Sequence, residues 1–104
     1  MSIKVLKMAR ELNQPFRPLE IAELDGAYHA FIVRYSGDYI AHQHSADEMI
    51  YILEGALEME VAGKTHSLKQ GEALKIPAGI KHRPCCRNNA LALVVEKRGL
   101  QIEE

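Results

Sequence analysis

Two histidines one residue apart, His42 and His44, precede Glu48, and a further histidine, His82, lies forty residues after His42. Imidazole and carboxylate together suit a divalent transition metal. On a strand, alternate side chains point to one side with Cα atoms roughly 6.5–7 Å apart, so His42 and His44 can converge on a single ion. Ser45-Ala46-Asp47 reads as a short polar turn that lets Glu48 begin the next strand, facing the same interior as Ile50 and Ile52. A carboxylate left unpaired in that interior is costly. A metal, or a proton with a hydrogen-bond network, has to settle that cost. His82 follows Pro77-Ala78-Gly79, a turn in which proline fixes φ and glycine tolerates unusual backbone. Three imidazoles and one carboxylate on an octahedral ion would leave two positions for water, substrate or dioxygen.

The elements that must position these residues are short and β-like. Residues 3–12, IKVLKMAREL, carry helical spacing with Ser2 as N-cap, and NQPFRP stops the helix. From Ala27 onward the runs AYHAFIVRY, YIAHQH, EMIYIL, ALEMEV, THSL, ALKI and ALALVVE are separated by turn residues. Such punctuation indicates an antiparallel sandwich or barrel. Leu57, Met59 and Val61 alternate with Glu58 and Glu60, which predicts one wet face. MIYIL is apolar on both sides and needs a cover on each, from a second sheet or a partner subunit. The expected organisation is one domain over 1–104: helix and arm in 1–26, barrel in 27–98.

Composition removes several function classes. Thirteen basic and fourteen acidic residues are interspersed, for a net charge of -1, and tryptophan is absent. No basic stripe or stacking platform points to nucleic acid. No apolar run reaches the roughly 18 residues of a membrane span, and the N-terminus does not resemble a signal peptide. Cys85 and Cys86, the only cysteines, are adjacent, which disfavours a structural disulfide. The expectation is a cytoplasmic protein with no nucleic-acid or membrane partner.

The spacing Gly37-x4-His42-x-His44-x3-Glu48-x6-Gly55, then Gly71-x5-Pro77-x-Gly79-x2-His82, resembles the paired motif of the cupin superfamily. The flanks are similar to small stand-alone cupins of the type labelled mannose-6-phosphate isomerase-like. The resemblance implies an all-β, jelly-roll antiparallel barrel with a short N-terminal helix. It also implies one divalent metal (Fe, Mn, Ni or Zn) on His42, His44, Glu48 and His82. Two departures stand out. The first motif is one residue shorter than usual between Gly37 and His42, which a local bulge or turn adjustment would absorb. Cys86 stands where the second motif commonly closes with Asn.

Cys86 shares strand parity with His82, and Tyr35 and Tyr39 flank Gly37 before the first motif; all three are candidate pocket residues. Arg34, Lys81 and Arg83 are candidate receptors for an anion, while His29 and His66 are read as uninvolved. No catalytic residue is assigned, although Glu48 would serve as a proton shuttle if it detached from the metal. The resemblance implies a metal-dependent enzyme acting on a small molecule, by dioxygenase-type or sugar-isomerase-type chemistry. The alternative is a non-catalytic module that binds or senses a sugar or other metabolite. A homodimer is expected, because the outward face of EMIYIL (Met49, Tyr51, Leu53) needs covering.

Overall fold

Short runs of strand-forming residues bounded by turn residues generate most elements in the computed structural model, which describes residues 1–104. A six-residue helix, α1 (Val5–Arg10), precedes seven strands. These are β1 (Leu19–Leu24), β2 (Tyr28–Asp38), β3 (Glu48–Glu54), β4 (Ala56–Val61), β5 (Lys64–Lys69), β6 (Ala73–Ile76) and β7 (His82–Lys97). All pairings are antiparallel, and the strands form a jelly roll.

The ribbon of β2 and β7 organises the barrel. β7 pairs with β2 from Lys97 to Cys85. Along its other edge it pairs first with β4, through His82 to Cys85, and then with β3, through Leu91 to Glu96. A straight strand would hold residues 82 and 96 roughly 45 Å apart. Yet both ends of β7 reach Glu48, so the ribbon curls right round. The curl coincides with a register shift between Tyr35 and Gly37, opposite extra residues of β7 at Arg87–Asn89.

Ile50, Ile52, Leu57, Met59, Ile76 and Val94 fill the interior. Burying each such side chain contributes roughly 1.5–3 kcal/mol. A second cluster outside the barrel seats Ala9 of α1 on Ile32 and Leu91. Gly55, at φ +83, turns β3 into β4 so closely against Asn89 that a Cβ there would lie 2.4 Å from the Asn89 carbonyl oxygen.

Three expectations are corrected. The helix begins at Val5 rather than Ile3, and Lys4, not Ser2, occupies its N-cap with no side-chain hydrogen bond. Residues 19–24, assigned to the arm, are β1 and pair with β2, because Ile21 and Ala22 find cover there. YIAHQH forms only isolated bridges, His42 to His82 and Gln43 to Glu103, rather than a full strand.

Candidate metal centre

The two motif turns hold each other in place. Asp47, in the turn before β3, accepts the Ala78 N–H at 2.8 Å, and the Gly79 N–H donates to the His44 carbonyl at 2.8 Å. The Ala78 bond, then Lys75, lower the Asp47 pKa. His42 and His82 exchange a reciprocal backbone pair at 2.9 and 2.8 Å. Their rings therefore meet, with centroids 4.3 Å apart, and His44 lies 5.1 Å from His42 and 5.6 Å from His82.

Each ring is locked by a backbone carbonyl on its Nδ1 side. His42 Nδ1 donates to Ile40 O at 2.8 Å, His82 Nδ1 to Ile80 O at 3.0 Å, and His44 Nδ1 to Gln101 O at 3.0 Å. A carbonyl only accepts, so Nδ1 carries the proton and the Nε2 lone pair of each neutral ring is left for a ligand. Nitrogens of the three rings lie within 4.8 Å of one another, and all three residues are buried. His82 Nε2 has no hydrogen-bond partner, and it lies 3.1 Å from Glu48 Oε1. Glu48 Oε2 is 3.7 Å from His44 Nε2. An orphaned buried nitrogen, two further imidazoles and a carboxylate fit a divalent transition metal by donor type and convergence. The four residues anticipated from the motifs are brought together.

The electrostatics are those of a crowded buried cluster. Burial lowers the His42 pKa, and neighbouring histidines add to that effect. Burial also acts to lower His82, but the Glu48 carboxylate 3.1 Å away and the Ile80 carbonyl outweigh it, and the net shift is upward. Glu48 is opposite: burial acts to raise it, and the adjacent His82, Glu96 and His44 side chains bring it down.

Glu96 was missed by sequence reasoning. It sits directly across from Glu48 in the β3–β7 ladder, and its carboxyl groups with Glu48 and His44. Burial, then the Glu48 hydrogen bond and charge, push its pKa up to about 8. On its outer side it faces His29 Nε2 at 3.5 Å, and His29 Nδ1 bonds Glu20 at 3.0 Å. Strand parity was the available signal: Ala90, Ala92 and Val94 are buried, and Glu96 continues that row.

A cavity of about 210 Å³ opens over the four residues. Tyr35 and Tyr39 line it. Cys86 points inward as its parity implied, but it packs in the core with Sγ toward the Ala56 and Asn88 carbonyls and does not line this cavity. Phe16 from the arm and Leu100 and Ile102 from the C-terminal segment complete the mouth, and no motif pointed to them. Arg34 is spent on the Leu12 carbonyl and Arg83 on Glu60 and Asp38; neither they nor Lys81 line the cavity. Both cysteines are free, and no helix is long and apolar enough to cross a membrane.

Comparison with known proteins places these features in context. A family model described as Cupin domain matches residues 30–96. A cupin-2 domain containing protein from Shewanella frigidimarina superposes with a TM-score of 0.87 at 28% identity, over 92% of this chain and 94% of that one. The polyketide synthase CurC of Streptomyces cyaneus is 28% identical over 78 residues, 74% of this chain and 51% of that protein. Bos taurus 3-hydroxyanthranilate 3,4-dioxygenase is 36% identical over 66 residues, 60% of this chain and 23% of the enzyme. The chain thus spans about half the length, or less, of these two curated relatives.

Proposed function

This chain belongs to the cupin family, and on that premise we propose that it is a divalent-metal-dependent enzyme acting on a small molecule, with dioxygenase-type chemistry favoured over sugar isomerisation. The observation that carries the reading is the trio of convergent imidazoles, each with Nδ1 locked on a backbone carbonyl, with His44 and His82 Nε2 facing Glu48 and the His82 nitrogen lacking any hydrogen-bond partner. His42, His44, His82 and Glu48 would hold the ion. When bound, it supplies Lewis acidity and a template for adjacent oxygen atoms of a substrate. The chain's own contribution is to orient and to exclude water. The backbone carbonyls set each ring, the apolar mouth dries the site, and Glu96, across the ladder from Glu48 and raised in pKa by burial, stands beside the reacting position as a group able to hold a proton. The similarity to a dioxygenase supports the oxygen-dependent version.

Elemental mass spectrometry of the purified protein tests the reading, with His44→Ala beside it. About one equivalent of Fe, Mn, Ni or Zn, lost in the variant, is expected. Oxygen uptake with a panel of ring-bearing diols then separates the chemistries. Absence of metal before and after reconstitution would sink the proposal. Metal with ligand-induced stabilisation but no turnover of any candidate would leave a binding module instead.

The outward face of β3 supports a homodimer within this proposal. Met49 is 45% exposed and Tyr51 36%, while Ile50 and Ile52 are buried. Light scattering of a Met49→Lys/Tyr51→Lys double variant is expected to give half the mass of the parent. A monomeric parent refutes the dimer.

A further inference from the structure

The walls of the cavity are more selective than its floor. Apart from the proposed ligands and Glu96, the lining residues are apolar or aromatic, with hydroxyls only on Tyr35 and Tyr39. No lysine, arginine, serine, threonine, asparagine or glutamine reaches it. A sugar needs a partner for each buried hydroxyl, and a phosphate needs a cation or a nest of N–H donors. Beyond the proposed metal, the lining supplies no side chain that meets either requirement.

Phe16 is held in the mouth at a conformational cost. Its φ is +60, which a bulky L residue rarely adopts, and its N–H is tied to the Arg34 carbonyl at 2.8 Å. Its ring stacks on Tyr39, with centroids 4.8 Å apart, and meets Tyr35 edge-on at 5.9 Å. Tyr39 in turn stands edge-on to His42 at 5.5 Å. An unbroken aromatic wall therefore runs from the arm to the proposed metal ligands, and the cavity of about 210 Å³ has room for one ring.

Resting on the metal-centred reading above, we infer that the site takes a compact, uncharged aromatic molecule bearing two adjacent oxygens, and that Phe16 is a residue that selects its ring. The adjacent oxygens address the open metal positions. The ring lies against the Phe16–Tyr39–Tyr35 wall, where offset or edge contacts add to simple burial. Glycine at position 16 would adopt the same backbone without strain. Ring selection and fold stability therefore separate at this residue.

The test uses full-length protein loaded with Co(II), whose visible absorption shifts when a ligand chelates. Three probes are titrated: 4-methylcatechol, acetoin and mannose 6-phosphate. Phe16→Gly and Phe16→Leu are compared with the parent, so that the intrinsic chelating strength of each probe cancels. Both variants are expected to bind 4-methylcatechol about tenfold more weakly while affinity for acetoin and for the metal stays unchanged. Mannose 6-phosphate is expected to give no spectral shift. The thermal midpoint of Phe16→Gly is measured separately, and Phe16→Leu keeps apolar bulk should the glycine variant loosen the arm. Equal losses for 4-methylcatechol and acetoin, or no loss for either, overturn the role of Phe16. Tight binding of mannose 6-phosphate overturns the substrate class while leaving the metal centre standing. Failure to take up cobalt overturns the metal reading and this inference with it.

Discussion

Replacing Glu96 with glutamine in the metal-free protein should flatten the dependence of stability on pH between about 6.5 and 8. Burial and the Glu48 carboxylate raise the folded-state pKa of Glu96 to about 8, from an ordinary value of 4.5. Between these values the folded chain holds a proton that the unfolded chain has lost. Stability must then fall as pH rises, by about 1.4 kcal/mol per pH unit for one proton. His82 has the same sign, since its raised pKa contributes stability below its unfolded value that is lost as pH rises through the folded one. Glu48 and His42 are both lowered, so their effects belong to pH below about 4.5 and about 6.5 respectively. Over the 1.5 units from 6.5 to 8, Glu96 alone amounts to about 2 kcal/mol, or roughly 8 °C in midpoint for a domain of this size. Its side chain is only 12% exposed, so solvent screening removes little of this. Circular-dichroism melts across that range should show the parent midpoint falling and Glu96→Gln falling by clearly less. A flat or rising parent profile, or an unchanged slope in the variant, would refute the assignment of the proton to Glu96.

Further predictions address the tertiary scaffold. Gly55→Ala should destabilise by about 3 kcal/mol or more, because φ is +83 and the new Cβ would meet the Asn89 carbonyl oxygen at 2.4 Å; a denaturant midpoint within error of the parent contradicts it. Ending the chain after Arg98 removes the Gln101 carbonyl that holds His44 Nδ1, together with the Gln43–Glu103 bridge. Zinc affinity, read by chelator competition, should fall roughly 10–100-fold. Gln101→Ala should leave it unchanged, since the acceptor is backbone.

The sequence by itself nominated the four proposed ligands, through their spacing and its resemblance to the cupin motifs, and it placed Glu48 and His82 at the starts of strands. Their legibility has a simple basis: period-two parity assigns a side to each residue, and Pro77 and Gly79 mark a corner whatever packs around it. The same alternation put Ile50, Ile52, Leu57 and Met59 inside. It also set Cys86 inward, but parity names only a face, and depth along a curling strand decided that this thiol meets the core rather than the cavity. Glu96 could have been placed inward by continuing the row from Ala90. Its meeting with Glu48 depended on the β3–β7 register, which is set by contacts far apart in the chain. Phe16, Leu100 and Ile102 were out of reach for the same reason. They lie in segments without periodicity, and their places depend on backbone bonds far along the chain, Phe16 to Arg34 and Glu103 to Gln43. Local spacing and the motif resemblance thus nominated the donor set, while tertiary structure decided what surrounds it, because walls are built from chain segments that only folding brings together.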